Sequence, residues 1–363
     1  MNAGTIAKQP KAARQTKKSR HMPKVVTFGE IMLRLSPPGY ERFLQSPVLG
    51  ATFGGGEANV AVSLALFGLE SYYVTRLPVH DIGEAAVRAL RAEGVRTDFI
   101  IRGGDRIGVY FVEAGASQRA SNVIYDRARS AISELEPGTV DWAKVFQGAD
   151  WFHVTGITPA LGEKAAACTR ESVEAAKKAG VKVSVDLNFR KKLWTEAQAQ
   201  KVMRPLMRQV DVVIANEEDI QSVLGLDVPN TDVTSGHLNL EGYKSVAQRL
   251  SKELGPPLVA ITLRESVSAS DNGWSAALWD DKAGRFVRSQ RYDVRVVDRV
   301  GGGDSFAAGM IYGLLTGRDA EASLRFAVSS SALKQTIPGD FNRLSVAEVD
   351  RLEKGDASGR VQR

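Results

Sequence analysis

Cysteine is almost absent from this sequence. Cys168 is the only cysteine among 363 residues, which excludes an internal disulfide framework and a cysteine-based zinc site. Because it lies in an alanine-rich stretch with helical character, we interpret it as a buried structural thiol. Histidine is scarce as well, and His80 and His153 have no partner at metal-ligand spacing, so we interpret both as structural. We therefore assign no metal site to cysteine or histidine.

Long apolar runs and two common nucleotide-binding motifs are missing too. No stretch of 18 apolar residues occurs, and the N-terminus has no apolar core of a secretion signal, so we expect a cytoplasmic protein with no membrane partner. The absence of a G-x-x-x-x-G-K-[ST] motif argues against P-loop chemistry. A G-x-G-x-x-G motif after the first predicted strand is also missing, which weakens a dinucleotide-binding interpretation.

Acidic residues are absent from the first 24 positions, which hold seven basic ones. Without these seven, the 48 basic residues of the chain become 41 against 42 acidic ones, a balance of −1. A nucleic-acid binder keeps a basic face on its folded body, so we expect no nucleic-acid partner. We predict a disordered basic tail over residues 1–24. It is either vector-derived up to His21-Met22 or a native targeting segment or tether to an anionic surface.

What the sequence does contain is a repeated order of β-branched runs and longer amphipathic segments. The runs typical of strands cover residues 25–35, 71–76, 151–154, 181–186, 212–215 and 258–263. The helical patterns cover residues 58–67, 82–93 and 165–179. This alternation predicts an α/β fold with a mostly parallel central sheet and helices on both faces. We place this domain at residues 25–345, followed by a C-terminal tail at residues 346–363.

Two stretches interrupt the alternation. Residues 34–52 carry three prolines and two glycines around a short apolar piece. Residues 107–127 contain two alternating β-type runs that Gly115 separates. Both patterns are typical of strands that leave the main sheet, so we predict a small antiparallel flap built from these two insertions. A flap beside a ligand crevice often serves as a lid.

The sharpest local signal is a glycine turn at residues 298–306 (DRVGGGDSF), between a predicted strand at residues 294–297 and a helix of small apolar residues. Consecutive glycines let backbone N–H groups converge on an anion, and the start of the helix adds its positive end. Asp304 stands where a carboxylate can accept a hydroxyl proton. The turn indicates a site for phosphate or for phosphoryl transfer. The alternative is a loop in which Asp304 only caps the helix.

A second glycine loop, residues 53–62 (FGGGEANVAV), also leads into a helix of small residues. Gly54 and Gly55 would let a ligand approach the backbone closely, with Asn59 as its polar partner. Close packing of the helix on the sheet is the alternative explanation for these glycines.

Together the two loops resemble the signatures of the ribokinase-like (PfkB) carbohydrate kinases, and the resemblance spans nearly all of residues 25–342. It implies a ribokinase-like three-layer sandwich with a small β lid, the substrates ATP and a sugar, and the ion Mg²⁺. It also implies that Asp304 is the general base and that Gly301, Gly302 and Gly303 form the anion hole for the transferred phosphoryl group. A monovalent cation, K⁺, is a further implied cofactor near this turn. Residues 298–300 lack the threonines frequent there, so we leave that site open.

Three segments are most similar to the 2-keto-3-deoxygluconate kinases of this family. They are residues 123–131 (VIYDRARSA), 186–194 (DLNFRKKLW) and 336–342 (TIPGDFN). The acceptor of these kinases carries a carboxylate, which arginine meets with two parallel hydrogen bonds.

The first of these segments contains Arg127 and the second contains Arg190. We expect Arg127 and Arg190 to bind the acceptor carboxylate, with Tyr110 and Tyr125 giving hydroxyls and ring faces. Structural ion pairs with Asp126 and Asp186 are the alternative for the two arginines, and Arg190 could also reach the phosphates of ATP.

The resemblance implies further site residues. Glu30 occupies a position where an acid binds acceptor hydroxyls, and Glu218 could help to organise Mg²⁺ indirectly. The implied nucleotide-binding residues are Asn188, Asn216, Thr262, Arg264, Ser266, Gly301, Gly303 and Asn342. Residues 262–270 lack the glycines of the family's usual turn, so we expect Arg264 or Ser266 to contact phosphate instead.

The sequence thus predicts a kinase that transfers phosphate from ATP to the terminal hydroxyl of 2-keto-3-deoxygluconate. Alternatives within the class are a kinase for 2-keto-3-deoxygalactonate, fructose or another ketose. An alternative outside it is a non-catalytic regulator that binds a sugar or a nucleotide. We expect a homo-oligomer, for example a dimer formed through the lid.

Overall fold

The structure, a computed structural model, describes residues 22–226, 240–356 and residue 359. Most of the predicted basic tail and the end of the predicted C-terminal tail lie outside these residues. The strands in chain order are β1 Lys24–Phe28, β2 Met32–Ser36, β3 Gly50–Gly54, β4 Glu70–Leu77, β5 Ile100–Arg102, β6 Gly108–Glu113, β7 Asn122–Asp126, β8 Trp151–Thr155, β9 Lys182–Asp186, β10 Val212–Asn216, β11 Leu258–Ser266, β12 Asp271–Asp280, β13 Arg285–Arg288 and β14 Tyr292–Arg295. The helices are α1 Gly56–Leu66, α2 Asp81–Ala92, α3 Trp142–Val145, α4 Ile157–Ala160, α5 Glu163–Lys178, α6 Glu196–Met207, α7 Glu217–Leu224, α8 Leu240–Leu254, α9 Gly302–Leu315, α10 Ala320–Lys334 and α11 Val346–Glu353.

The central sheet has the strand order β13-β12-β11-β10-β9-β8-β1-β4-β5, and β14 also pairs with β12. From β11 to β5 all neighbouring strands are parallel. At the other edge, β12 is antiparallel to β11, β13 and β14. Parallel neighbours need crossover connections, which here carry most of the helices. The predicted mostly parallel sheet is confirmed.

Helices cover both faces of this sheet. Successive residues of a strand point to opposite faces, so each strand contributes to two apolar clusters. In β8, Trp151 packs with residues of α1, α9 and α10, whereas Phe152 packs with residues of α5, α6 and α8. In β10, Val212 belongs to the same cluster as Trp151, and Val213 belongs to the same cluster as Phe152. This burial on both faces explains why these strands are almost continuously apolar. Cys168 is buried in the cluster with α5, as expected of a structural thiol.

The first predicted strand, residues 25–35, is two strands in two different sheets. β1 ends at Phe28, and β2 begins at Met32. Between them, a Cβ at Gly29 would lie 2.1 Å from Glu57 Oε2, so the chain passes where only glycine fits. The Gly29 carbonyl also accepts a hydrogen bond from Tyr73 Oη at 2.7 Å. A single apolar run therefore hides a bend that depends on tertiary packing.

The lid is a separate sheet with the order β3-β2-β6-β7. Its outer pairs are antiparallel, as predicted, whereas the central strands β2 and β6 pair in parallel. Arg34 of β2 stands opposite Tyr110 of β6. The tip of the lid touches the loop that follows β11. Ala269 N donates to Ser117 O at 2.7 Å, and Ser117 N donates to Ser270 Oγ at 2.9 Å.

Two later elements differ from their predicted bounds. β11 continues to Ser266 because it pairs with β12 along its whole length. Residues 346–353, which we assigned to a tail, form α11, and its Val349 and Leu352 pack in the same cluster as α9 and α10. Among the residues that the structure describes, no helix combines the length and the apolar character needed to cross a membrane.

Candidate active site

The carboxyl ends of the parallel strands open into a cavity of about 440 Å³, and the lid forms the opposite wall. Ligands of open α/β sheets bind at this end of the strands. Asp186 ends β9 and Asn216 ends β10, and both residues line the cavity. The lid contributes Arg34, Tyr110 and Tyr125 to the other wall.

Asp304 lies in the first turn of α9 and lines the cavity, although only 9% of the residue is exposed. Its Oδ2 accepts a hydrogen bond from Asn59 Nδ2 at 2.7 Å, and Asn59 Oδ1 accepts one from Gly55 N at 3.2 Å. Burial raises the pKa of Asp304 to about 7. A buried carboxylate that titrates near neutrality at a cavity wall can act as a general base.

The glycine turn presents unpaired amides beside this carboxylate. Gly301 precedes α9 in the left-handed conformation (φ 84°), and a Cβ there would lie 2.2 Å from Asp340 O. The amides of Gly301, Gly303 and Asp304 have no acceptor among the described residues, because the first turn of a helix leaves its N–H groups unpaired. Gly302 differs from its prediction, since its amide donates to Arg299 O at 3.2 Å and the residue does not line the cavity.

Of the two glycines predicted in the first loop, one reaches the cavity. A Cβ at Gly54 would lie 2.0 Å from Asp340 Oδ2, and a Cβ at Gly55 would lie 2.0 Å from Glu30 O. Gly55 and Asn59 line the cavity, whereas Gly54 does not. Close packing therefore accounts for Gly54.

Arg127 follows β7 and lines the cavity while only 8% exposed. Its Nε donates to Glu30 Oε2 at 2.7 Å, and its Nη2 contacts the same oxygen. The guanidinium carbon lies 5.4 Å from the centroid of the Tyr125 ring. Asp126, the partner considered as an alternative, pairs instead with Arg106 at 2.9 Å. Glu30 itself does not line the cavity, and its Oε1 has no hydrogen-bond partner among the described residues.

A buried ionic network links the lid to the glycine turn. Arg34 Nη1 donates to Asp340 Oδ1 and Arg34 Nη2 to Asp298 Oδ2, each at 2.6 Å. Tyr110 Oη donates to Asp340 Oδ2 at 2.5 Å. Sequence reasoning missed the roles of Arg34, Asp298 and Asp340. Asp298 and Asp340 both lie in segments that resemble the family, residues 298–306 and 336–342. That position was the one signal in the sequence that could have identified them.

Arg190 forms no ion pair with a carboxylate among the residues that the structure describes, so the alternative pair with Asp186 is not made. Its Nη1 donates to Phe189 O at 3.3 Å. Burial, followed by the charges of Asp219 and Asp304, raises the pKa of Asp186 well above its ordinary value. Burial also raises the pKa of Asp219 to about 6. Arg190 thus lines an acidic part of the cavity wall, where its charge partly offsets the rise in the pKa of Asp186 and of Asp219.

The predicted nucleotide side divides into residues at the cavity and residues away from it. Asn188, Asn216, Thr262 and Arg264 line the cavity. Arg264 is exposed, and its guanidinium makes no hydrogen bond or ion pair with the residues in the described ranges. Ser266 lies outside the lining, at the end of β11.

Asn342 is buried beneath α9 rather than at the cavity. Its Nδ2 donates to Ser305 Oγ at 2.8 Å and to Ser330 Oγ at 3.2 Å. These bonds join α9 to α10, so the structure places Asn342 away from the predicted nucleotide contact.

Glu218, at the start of α7, is exposed and lines the cavity. Within residues 22–226 and 240–356 no group of three or more His, Cys, Asp or Glu side chains could hold a metal ion. Mg²⁺ in phosphate-transfer sites keeps several waters and binds through one or two carboxylates and the phosphates of the substrate. A single exposed carboxylate such as Glu218 fits that mode of binding.

The cavity therefore combines a buried carboxylate that titrates near neutrality, unpaired amides at a helix start, and two arginines, Arg190 and Arg264, that form no ion pair with the described residues. This combination can move a phosphoryl group onto a hydroxyl, because it supplies a base, stabilises developing negative charge and binds anionic groups. The fold and the site together define a phosphotransferase with an alcohol acceptor.

Comparisons with known proteins agree. The family model described as pfkB family carbohydrate kinase matches residues 22–342. The chain is 51% identical to the 2-dehydro-3-deoxygluconokinase of Thermotoga maritima, covering 92% of this chain and 100% of that structure, with a TM-score of 0.88. It is 32% identical to a 2-dehydro-3-deoxygalactonokinase of Haloferax volcanii, covering 92% of this chain and 98% of the relative. It is 28% identical to a 2-dehydro-3-deoxygluconokinase of Bacillus subtilis, covering 89% and 93%.

This chain belongs to the PfkB family of carbohydrate kinases. It is a sugar kinase that uses ATP and Mg²⁺, and the predicted ribokinase-like sandwich with a small β lid is confirmed.

Proposed function

We propose that this kinase phosphorylates the terminal hydroxyl of 2-keto-3-deoxygluconate, with Asp304 as the general base. One observation carries the proposal: Asp304 is buried at the start of α9, faces the cavity and has a pKa of about 7. Relatives named 2-dehydro-3-deoxygluconokinase, among them those at 51% and 28% identity described above, support this acceptor.

In the proposed reaction, Asp304 accepts the proton of the acceptor hydroxyl as the hydroxyl oxygen forms a bond to the γ-phosphorus of ATP. The bond from that phosphorus to the β–γ bridging oxygen breaks, and ADP leaves with the electron pair. The unpaired amides of Gly301, Gly303 and Asp304 stabilise the charge on the transferred group. Glu218 would hold Mg²⁺ through water, and the ion would supply positive charge against the phosphates.

The acceptor is bound between the lid and the first glycine loop. Arg127 donates from Nε and Nη2 to one oxygen of Glu30, so its Nη1 is available to the acceptor carboxylate. Arg190 supplies a second cation, and among the described residues its guanidinium donates only to the backbone carbonyl of Phe189. Tyr125 stacks on Tyr110 with ring centroids 5.9 Å apart and forms an apolar wall for the sugar. Asn59 and Gly55 complete the acceptor side.

ATP is bound along the ends of β10 and β11. Asn188, Asn216 and Thr262 supply polar groups there, and Arg264 supplies a charge for the phosphates. Because the exposed guanidinium of Arg264 is unpaired among the described residues, binding phosphate breaks no existing ion pair.

The galactonate epimer is a second candidate acceptor, which the Haloferax volcanii relative supports. Both epimers carry the same carboxylate, so the arginines do not separate them.

An ADP-release assay with both epimers and with fructose tests the proposal. We expect Asp304→Asn to lower kcat by about 10³-fold, because the general base is lost, while calorimetry still detects sugar binding. Arg190→Met should raise KM for the acid sugars and spare fructose, whereas Arg88→Met, at an exposed surface pair, should change neither. Normal turnover by Asp304→Asn contradicts the assigned base. A higher KM for ATP with every acceptor would place Arg190 on the phosphates, and sugar binding without ADP release would favour the regulator.

We also propose a homo-oligomer assembled through the lid in the cytoplasm. Leu44, Val48 and Ile124 are exposed apolar side chains of the lid and support this interface. Light scattering of Leu44→Lys beside the unchanged protein tests the oligomer, and an unchanged mass contradicts the lid interface.

A further inference from the structure

Lys334 is a fully buried lysine that the reaction described above does not use. It is the last residue of α10, and none of its surface is exposed. Lysine is almost never buried to this extent unless its charge is compensated. Its ammonium must therefore have partners that justify the burial.

Those partners are backbone carbonyls on two sides of the glycine turn. Lys334 Nζ donates to Gly339 O at 2.6 Å, to Asp298 O at 3.3 Å and to Ile337 O at 3.4 Å. An ammonium has three N–H donors, so three acceptors satisfy it. Asp298 starts the turn that carries the anion-binding amides, and residues 337–339 belong to the loop after α10.

The position of the lysine stem ties it to the turn itself. A Cβ at Gly301 would lie 3.2 Å from Lys334 Cε, so the stem packs against the left-handed residue that precedes α9. Gly339 N donates to Asp298 Oδ2 at 3.0 Å, which closes the same loop onto the turn. Lys334 does not line the cavity, so it acts behind the turn rather than on a ligand.

A set of backbone carbonyls converging on one point is the chemistry that holds K⁺ and similar hard cations. Here the point already carries a positive charge that belongs to the chain. A free ion at the same carbonyls would have to displace a buried ammonium or stand beside a like charge. The residues present therefore do not fit the monovalent cation that the family resemblance implied near this turn.

We propose that Lys334 is a built-in replacement for a monovalent cation. It is a positioning residue: it holds the carbonyls behind residues 298–303 so that the amides of Gly303 and Asp304 face the cavity. The inference rests on the proposed role of this turn in phosphoryl transfer. It predicts a kinase whose turnover does not depend on K⁺.

The first test uses the unchanged protein. ADP release is measured in KCl, NaCl or choline chloride at equal ionic strength. Chromatography is used instead of a coupled assay, because a coupling enzyme could itself respond to K⁺. We expect the same kcat in all three salts. A clear stimulation by K⁺ overturns the inference without touching the proposed function, whereas absence of ADP release in every salt overturns the proposed function first.

The second test creates the requirement. Lys334→Met should lower kcat about a hundredfold in choline chloride, because the amides lose their alignment, and K⁺ or methylammonium should restore part of the rate. KCl should also raise the melting temperature of this variant and not that of the unchanged protein. Lys334→Arg, which keeps the charge, should be more active than Lys334→Met and insensitive to K⁺.

Lys24→Met is the matched control. Lys24 Nζ also donates to two backbone carbonyls, of Val145 at 3.0 Å and Gln147 at 2.9 Å, but it does not line the cavity. This variant should keep its kcat and show no response to K⁺. If folded Lys334→Met turns over like the unchanged protein, or if no cation improves its rate, the inference is wrong. Should Lys334→Met not fold, the salt series on the unchanged protein and on Lys334→Arg decides.

Discussion

The two walls of the cavity are built in different ways. On the lid wall the charges are paired inside the protein, Arg127 with Glu30 and Arg34 with both Asp298 and Asp340. On the nucleotide wall the exposed guanidinium of Arg264 has no ion-pair partner among the described residues. A buried ion pair adds little net stability, because the desolvation of its charges offsets their attraction, but removing one partner is strongly destabilising. Such a pair therefore fixes the positions of its side chains. The lid wall is therefore shaped before a ligand binds, whereas the nucleotide wall is completed by the charge of ATP.

The largest expected effect comes from breaking one pair on the lid wall. Arg127→Met should lower the free energy of unfolding by about 3–5 kcal/mol, because it leaves the buried Glu30 carboxylate uncompensated. Arg264→Met should leave that free energy within about 0.5 kcal/mol and raise KM for ATP about tenfold. Urea unfolding and ADP release measure the two quantities.

The double variant Arg127→Met/Glu30→Gln is the control for this contrast. It should recover part of the stability, because no buried charge is left alone. Equal losses of stability in Arg127→Met and Arg264→Met would contradict the difference between the walls.

The next effect concerns the carboxylate between the walls. Asp304 has a pKa of about 7 in the fold and an ordinary value of 3.8, so the folded state binds more protons between these pH values. Stability therefore falls as pH rises through this window, by about 2–4 kcal/mol in all. Asp304→Asn should unfold at a higher temperature than the unchanged protein at pH 8, and at a similar temperature near pH 4. A difference that does not change with pH would show that the carboxylate is not the cause.

The smallest expected effect on stability comes from alanine substitutions at two nearby glycines, Gly301 and Gly303, which should differ in their result. Gly301→Ala should cost about 1–3 kcal/mol, because φ is 84° and the new Cβ meets Asp340 O. At Gly303 a Cβ would meet no atom within 4 Å, so Gly303→Ala should fold normally and lose turnover as its methyl group enters the phosphoryl site. Unfolding curves and ADP release on both variants distinguish strain from obstruction. Full activity in Gly303→Ala would place the transferred group elsewhere.

Much of the sheet could be predicted because its cause is local. β8, β9 and β10 are buried on both faces, which makes them apolar runs that can be recognised without the fold. The glycine turn could be predicted for a similar reason, since its residues are consecutive. The bend at Gly29 could not, because it depends on Glu57 in another element.

Only those site residues that stand in a short local motif could be predicted from the sequence. Asp304, Asn59 and Arg190 stand in short motifs and reach the cavity. The bond between Arg34 and Asp340 joins residues 306 positions apart, and no local pattern predicts such a pair. Asn342 shows the converse, because its motif is close to the site while its side chain serves the contact between α9 and α10.

The tip of the lid has a consequence for the order of events. Ser117 is hydrogen-bonded to Ala269 and Ser270, so opening of the flap requires these two hydrogen bonds to the segment beside the nucleotide site to break. Because one flap covers both parts of the cavity, a substrate that favours the closed flap also raises the affinity for the other substrate, and by linkage the factor is the same in both directions. Slower dissociation of nucleotide in the presence of sugar would be its kinetic sign, and unchanged dissociation would show that the two entrances open separately.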